Sequence, residues 1–260
     1  MNEEAPRFTR NLLTSHAVAA TLALTAMSGA AEAHTTGGAH YDSTPAPQAQ
    51  TVSNGACPAA EKVTSKNLST GCRTAVMKLL RDSVYDDPSD MLAVATYQKL
   101  AKLPVDGALG PITTRSVLKG KALKVASPDP KTKQRELYIR KSDQVAYVLG
   151  KGKVEHVLSI SSGSDIPYSE KGQSGKAHTP TGNYRIKYIK DKNYTAPLGA
   201  MPHARFYNDR NNSLSGFAVH AGNVDTNGND SHGCIRVDGA AMVRYIVPKF
   251  RVGTRIKIVK

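Results

Sequence analysis

Residues 217–237 read FAVHAGNVDTNGNDSHGCIRV, a stretch in which a histidine and a cysteine stand on either side of a loop rich in Gly, Asn and Asp. Apolar residues alternate at Phe217 and Val219, which predicts a short β-strand that ends at His220. Cys234 follows fourteen residues after His220. Because glycine and asparagine favour turns, the loop can fold back and bring the imidazole to the thiol.

The string Ser231-His232-Gly233-Cys234-Ile235-Arg236 has the composition of a reactive thiol. A nucleophilic cysteine needs a base or a positive neighbour that favours the thiolate, and His232 and Arg236 can both supply positive charge. Gly233 permits a tight turn in which backbone amides near Cys234 converge on a developing oxyanion. An isolated cysteine is more often a buried apolar residue, but these polar neighbours are poor core material.

Two histidines compete for the role of general base. His232 is so close in sequence to Cys234 that its ring can point elsewhere, so His220 is the preferred base. A metal site is not predicted, because no second Cys/His pair stands at the spacing of a structural zinc site.

Residues 135–260 show the two-residue apolar period of a mainly β domain. The predicted strands contain the apolar segments Leu137–Ile139, Val145–Leu149, Val154–Ile160, Tyr184–Tyr188, Phe217–Val219 and Ile256–Ile258. Asp238 is expected to cap one helix, which begins at Gly239 and ends near Val247 because Pro248 follows.

The strings around His220 and Cys234, together with Thr179-Pro180-Thr181-Gly182, resemble the signature of the L,D-transpeptidase catalytic domain, the YkuD family. The resemblance covers residues 135–260 and implies a β-sandwich with one principal helix. It also implies that Cys234 is the nucleophile and that His220 is the base, oriented by the backbone carbonyl of Ala221.

The same resemblance assigns the groups around the substrate. The backbone amides of His232, Gly233 and Cys234 are expected to form the oxyanion hole, and Arg236 is expected to lie beside the substrate. Further substrate contacts are predicted for Ser231, Tyr207 and Met201. The last two belong to the segment 190–212 between predicted strands, which is either an ordinary long loop or a flap over the substrate.

The implied reaction is the cross-linking of peptidoglycan stem peptides through a thioester on the cysteine. The thiolate attacks the amide between a diamino acid and the terminal D-Ala of a donor, D-Ala leaves, and the side-chain amine of an acceptor resolves the thioester. Two alternatives remain open: an L,D-carboxypeptidase, in which water resolves the same thioester, and a non-catalytic wall-binding protein. No cofactor or metal is expected.

Residues 57–120 are predicted to form a small helical module. One helix includes residues 75–80, Asp90 can cap a second, and Pro111 suits the first turn of a third. The string Asp106-Gly107…Gly110-Pro111-x-Thr113 resembles a three-helix peptidoglycan-binding module, which implies an α domain before the catalytic domain. The alternative is a purely structural helical domain.

The chain contains three cysteines, an odd number for an exported protein. In an oxidising compartment Cys57 and Cys72 are expected to form a disulfide, which closes a 15-residue loop. Such a bridge stabilises by about 3 kcal/mol in the chain-entropy model. This pairing leaves Cys234 as the free thiol.

The N-terminal residues are predicted to direct export. Residues 1–33 resemble a signal peptide, with an apolar run at Leu12–Met27 and small residues at Ala31-Glu32-Ala33, although an amphipathic helix is the alternative. Residues 34–56 are expected to be a disordered spacer, and residues 121–134 a linker rich in Lys and Pro. The mature protein is therefore expected to be secreted by a bacterium, associated with the cell wall and not membrane-spanning.

The chain has 260 residues, of which 40% are hydrophobic, so neither a wholly disordered chain nor a fibrous rod is credible. The 35 Lys and Arg residues exceed the 21 Asp and Glu residues, which gives a net charge of +14. This charge favours anionic partners, and we expect cell-wall polymers and no nucleic acid, because no recognition motif is present. We expect a monomer.

Overall fold

The computed structural model describes residues 55–120 and 133–260 of the chain. The predicted signal peptide, nearly all of the predicted spacer and most of the predicted linker lie outside the described residues. Residues 55–120 are helical and residues 133–260 are mainly β, which confirms the predicted fold class. Within these two ranges, no helix has both the length and the apolar character that crossing a membrane requires.

Three α-helices form the core of the helical region: α1 (Thr70–Arg81), α2 (Asp90–Ala101) and α3 (Pro111–Leu118), after a 3₁₀ turn at Ala60–Lys62. The hydroxyls of Ser69 and Ser89 accept hydrogen bonds from the first turns of α1 and α2, at 3.2 and 3.4 Å. The cap of α2 is therefore Ser89, not Asp90 as predicted. Asp90 already has helical backbone, and its carboxylate pairs with Arg81 instead.

A disulfide joins Cys57 to Cys72. Cys72 lies in the first turn of α1 and is fully buried among apolar residues that include Val63 and Val76. The bridge therefore fastens the segment that precedes α1 to the core of the helical region. Cys234 is the free cysteine of the described residues.

The connection between α2 and α3 is organised by the buried side chain of Gln98. Its Oε1 atom accepts hydrogen bonds from the amides of Asp106 (3.1 Å) and Gly107 (2.9 Å). Its Nε2 atom donates to the Asp106 carboxylate (2.7 Å) and the Thr113 hydroxyl (2.9 Å). Gly107 has a φ of +67°, a conformation that glycine adopts easily. Asp106, Gly107 and Thr113, which belong to the string that resembles a peptidoglycan-binding module, therefore stabilise this turn through their hydrogen bonds with Gln98.

Eight strands close into a barrel, so the domain is mainly β as expected, but its main sheet is closed on itself and is not the β-sandwich that the resemblance implied. In hydrogen-bonding order they are β1 (Glu136–Arg140), β12 (Arg255–Val259), β6 (Gly182–Ile189), β9 (Arg205–Asn208), β10 (Ala218–Ala221), β11 (Ile235–Val237), β3 (Lys153–Ser161) and β2 (Val145–Gly150), which pairs with β1. Two hairpins lie outside the barrel, β4 (Pro167–Glu170) with β5 (Gln173–Lys176) and β7 (Thr195–Ala196) with β8 (Gly199–Ala200). The pairs β1–β12 and β10–β11 are parallel.

The predicted helix after Asp238 is present, but it changes form along its length. The Asp238 carboxylate caps α4 (Gly239–Ala241) by accepting a hydrogen bond from the amide of Ala240, at 2.9 Å. A π-helical turn, Met242–Ile246, continues the helix. Its buried side chains pack into the barrel core, so that the helix closes the core on this side.

The helical region packs on the outer face of β2 and β3, which explains why every residue of β2 is buried. Ala146 and Val148 face the barrel core. The alternate side chains share an apolar cluster with the helical region, and they are Val145, Tyr147 and Leu149. A strand that is buried on both faces has a continuous run of apolar residues in its sequence.

Candidate active site

The parallel pairing of β10 with β11 brings the predicted base and nucleophile to one side of the barrel wall. Val219 pairs with Ile235, and both side chains lie in the barrel core. Side chains alternate between the two faces of a strand. His220 on β10 and Cys234, which directly precedes β11, therefore share the outer face of two neighbouring strands.

His220 is buried, and its Nδ1 atom lies 2.8 Å from the carbonyl oxygen of Ala221. A carbonyl oxygen only accepts hydrogen bonds, so Nδ1 carries a proton and Nε2 of the neutral ring has a free lone pair. Burial lowers the pKa of His220 below its ordinary value, and the positive charge of Arg236 lowers it further, against a smaller rise from the Ala221 hydrogen bond. At neutral pH the ring is therefore neutral and able to accept a proton.

Cys234 carries its thiol in a mostly apolar environment formed by side chains that include Met201, Phe206 and Ala218. Burial raises the pKa of the thiol above its ordinary value, while a hydrogen bond from the Ala218 amide and the charge of Arg236 oppose the rise. The sulphur donates to the carbonyl oxygen of Gly216 at 3.6 Å. The resting pair is therefore a thiol and a neutral imidazole.

Ser231 holds the turn that precedes Cys234. Its buried hydroxyl donates to the carbonyl oxygen of Cys234 (2.5 Å) and accepts from the amide of Gly233 (3.1 Å). The Gly233 amide is therefore already bonded, and in this geometry it is not free to serve the predicted oxyanion hole. We assign Ser231 the role of holding this turn, in place of the predicted substrate contact.

Thr179 fastens the same turn from the opposite side. Its hydroxyl is fully buried, donates to the carbonyl oxygen of Gly233 (2.7 Å) and accepts from the amide of Gly163 (2.8 Å). Gly233 has a φ of +126°, and a Cβ there would lie 2.7 Å from the carbonyl oxygen of His178. Thr179 belongs to the string Thr179-Pro180-Thr181-Gly182, but the sequence does not reveal that its hydroxyl bonds to the turn that precedes Cys234.

The side chain of His232 points to the β4–β5 hairpin. Its Nε2 atom lies 2.6 Å from a carboxylate oxygen of Glu170, and its ring packs edge-on against Tyr168 at 4.7 Å between centroids. The ring of His232 is therefore engaged with the hairpin, which agrees with the choice of His220 as the proposed base. No sequence pattern had indicated Glu170 or Tyr168, because they reach the site through a long-range hairpin contact.

Arg236 carries positive charge into the site. It pairs with His220 in the strand register, and its guanidinium donates to the carboxylate of Asp230 at 3.1 Å. Its side chain is 22% exposed. A location of Arg236 beside a substrate stays a prediction.

The segment 190–212 contains the β7–β8 hairpin and β9, so it combines an external hairpin with a barrel strand. Met201 lies in the apolar cluster that contains Cys234. Tyr207, by contrast, is 2% exposed and lies in the barrel core, with its ring 5.1 Å from that of Tyr184. Because its side chain is enclosed, we do not retain Tyr207 as a substrate contact.

Residues 134–258 match the family model described as YkuD, the L,D-transpeptidase catalytic domain. Among curated protein sequences no match was found.

Solved structures of similar fold include L,D-transpeptidases. One from Xylanimonas cellulosilytica (residues 123–326) is 26% identical with a TM-score of 0.59, over 71% of this chain and 91% of that one. The structural match to the Xylanimonas cellulosilytica protein covers more of this chain than the family model does, since the model covers residues 134–258 only. The L,D-transpeptidase of Stackebrandtia nassauensis is 14% identical with a TM-score of 0.44, over 71% and 89%. L,D-transpeptidase 1 of Mycobacterium tuberculosis is 19% identical with a TM-score of 0.34, over 48% and 61%.

Proposed function

We propose that this protein belongs to the YkuD family of L,D-transpeptidases, whose catalytic-domain model residues 134–258 match, and that it cross-links peptidoglycan stem peptides with Cys234 as its nucleophile. The observation that carries the proposal is the placement of a neutral, oriented imidazole and a free thiol on the same face of two neighbouring strands. His220 is fixed through Nδ1 to the Ala221 carbonyl, and it shares the outer face of the β10–β11 pair with Cys234.

The first half of the reaction forms a thioester. As the donor binds, Nε2 of His220 takes the thiol proton, and the sulphur of Cys234 attacks the carbonyl carbon between the diamino acid and the terminal D-Ala. The C–N bond of the resulting tetrahedral intermediate breaks. The imidazolium returns the proton to the leaving nitrogen, and D-Ala departs with the stem acylated on sulphur.

The second half transfers the acyl group. The side-chain amine of an acceptor stem attacks the thioester carbonyl, and His220 takes a proton from the attacking nitrogen. The C–S bond breaks, the thiol of Cys234 is regenerated with that proton, and a cross-link between diamino acids remains.

The oxyanion of the tetrahedral intermediate needs hydrogen-bond donors. Since the Gly233 amide bonds to Ser231, we assign this role to the backbone amides of His232 and Cys234. Such donors are worth about 3 kcal/mol each when they are preorganised. The clamps from Ser231 and Thr179 on either side of Gly233 supply that preorganisation.

Muropeptide mass spectrometry tests transfer against hydrolysis. The purified protein is incubated with a disaccharide-tetrapeptide, and we expect dimers joined between diamino acids together with free D-Ala. Tripeptide monomers alone would support the L,D-carboxypeptidase instead. Unchanged tetrapeptide would support the non-catalytic wall-binding protein and contradict both enzymes.

We also propose that the protein acts outside the cytoplasm, as a monomer on the cell wall, and that its basic surface binds anionic wall polymers. A cavity of about 400 Å³ at the barrel surface supports the second point. Three arginines line it, Arg135, Arg185 and Arg255. Arg135 pairs with the carboxylate of Glu155 at 2.8 Å and Arg255 with that of Glu136 at 2.9 Å, so Arg185 supplies the charge at this surface that no ion pair of the described residues engages.

A further inference from the structure

Lys99 is a buried lysine at the boundary between the helical region and the barrel. It lies in the last turn of α2 and is 9% exposed. Its Nζ atom donates to the carbonyl oxygen of Gln144 and to the hydroxyl of Ser159, both at 3.3 Å. Burial of an ammonium group is costly, so lysines are almost never buried unless they are paired. Its position therefore calls for an explanation.

The contacts of Gln144 lead from Lys99 towards the proposed nucleophile. The side chain of Gln144 binds Ser162 twice: Oε1 accepts from the Ser162 amide (2.9 Å) and Nε2 donates to the Ser162 hydroxyl (2.8 Å). The carbonyl oxygen of Ser162 accepts from the amide of Ser231 at 3.0 Å. Ser231 in turn holds the carbonyl of Cys234. Hydrogen bonds through Gln144, Ser162 and Ser231 thus connect α2 to the nucleophile's turn, residue by residue.

A second set of contacts joins the helical region to the loop between His220 and Cys234. A Cβ atom at Gly107 would lie 2.9 Å from the Cγ2 atom of Thr226, so this turn of the helical region rests directly on the loop. Burial lowers the pKa of Lys99 to about 8, and the negative charge of Asp225 in the same loop opposes that shift. The helical region is therefore connected to Cys234 in two ways, through the contacts of Ser231 and through the loop between His220 and Cys234.

From these contacts we propose that Lys99 is a positioning residue for Cys234, and that the helical region holds the nucleophile's turn in its reactive geometry. The proposal rests on the proposed function of Cys234. Lys99 does not touch the reacting atoms; it acts through Gln144, Ser162 and Ser231. Losing it should therefore slow the chemical step and leave substrate binding in place.

The test compares Lys99→Met with Tyr97→Phe. Methionine keeps the length of the side chain without its hydrogen bonds. Tyr97→Phe is the matched control, because it also removes a buried hydrogen bond of α2, at 2.9 Å to Ser116, but one that lies inside the helical region. We expect Lys99→Met to lower kcat about tenfold while KM stays within about twofold. Tyr97→Phe should leave both constants at the wild-type values.

Alkylation of Cys234 by iodoacetamide is measured on the same proteins, because it reports the thiol's environment whether or not the protein is a transpeptidase. We expect the alkylation rate of Lys99→Met to differ at least about threefold from that of the wild type, with a native melting transition. If Lys99→Met does not fold, Gln144→Met breaks the next link and should give the same two effects. Wild-type kcat and alkylation rate in the folded variant would overturn the positioning role. Wild-type protein that turns over no stem peptide would count against the proposed function alone.

Discussion

At the scale of single residues, burial sets the resting protonation of the two residues proposed to react. It raises the pKa of Cys234 and lowers that of His220, so both groups are neutral before substrate binds. Arg236 opposes the first shift and adds to the second, because its positive charge favours the thiolate and disfavours the imidazolium. Proton transfer within the pair therefore belongs to catalysis and is not complete in the resting protein.

The pH dependence of Cys234 alkylation follows from these shifts. A thiol with a raised pKa has less thiolate at neutral pH than a free cysteine, so its alkylation rate should rise with pH through a midpoint above the ordinary value of about 8.5. Replacing Arg236 by Gln removes a charge that lowers this pKa, and the midpoint should move higher still. Iodoacetamide kinetics from pH 6 to about 10.5 measure both. A wild-type midpoint below that of free cysteine would contradict the account.

Thr179→Val tests the clamp on the nucleophile's turn. Valine keeps the shape but leaves the Gly163 amide and the Gly233 carbonyl without their partner. We expect a loss of about 2–4 kcal/mol in the free energy of unfolding, measured by urea denaturation. Thr179→Ser keeps the hydroxyl and should lose less than about half of that amount. Equal stability of the two variants would show that the hydrogen bonds contribute nothing.

At the scale of secondary-structure elements, the apolar period identified six strands of the barrel and missed β9, β11 and the two hairpins outside the barrel. The segments predicted as strands became β1, β2, β3, β6, β10 and β12. β5 (Gln173–Lys176) is exposed at every residue, so it carries no apolar alternation. β11 has three residues, and two of them belong to the string Ser231-His232-Gly233-Cys234-Ile235-Arg236, which was interpreted as part of an active site. Such elements exist because of long-range contacts, for example that of Glu170 with His232.

Some features of the candidate site can likewise be predicted from the sequence, and others depend on long-range contacts. Residue types near Cys234 indicated a nucleophile and a base, since both are chemical properties of single side chains. Which backbone amide is free cannot be read from the sequence, because it depends on a buried hydroxyl such as that of Ser231. The enclosure of Tyr207 depends in the same way on the register of β9 with β10.

The disulfide gives a prediction for the helical region. Replacing both Cys57 and Cys72 by Ser removes the cross-link that fastens the segment before α1. We expect the free energy of unfolding to fall by about 3 kcal/mol, and thermal denaturation with and without reductant measures the change. Reductant should lower the melting temperature of the wild type and leave that of the double variant unchanged. Equal melting temperatures for wild type and variant would contradict a stabilising role.

At the scale of the whole molecule, the helical region and the barrel share an apolar cluster and a set of buried polar contacts. The arginine-lined cavity lies elsewhere on the barrel: Arg185 and Arg255 belong to β6 and β12, and β9 separates β6 from β10, which carries His220.

Polyphosphate binding tests the role of the cavity. Arg185→Gln removes a guanidinium that donates a hydrogen bond to the carbonyl oxygen of Gly253 at the surface, so the fold should be unaffected. We expect its affinity for polyphosphate to fall at least about fivefold by calorimetry, with a weaker salt dependence. Lys66→Gln makes the same change in net charge on the helical region and should have little effect. Equal losses in both variants would show that net charge alone binds the polymer, and tighter binding of duplex DNA would argue against a wall partner.

A thioester between Cys234 and the donor stem can be observed directly. Protein incubated with a disaccharide-tetrapeptide and quenched in acid is analysed by intact-mass and peptide-mapping mass spectrometry. We expect an adduct equal to the donor minus D-Ala on the peptide that contains Cys234, sensitive to hydroxylamine and absent from Cys234→Ala. An adduct on another residue, or wild-type release of D-Ala by Cys234→Ala, would contradict this expectation.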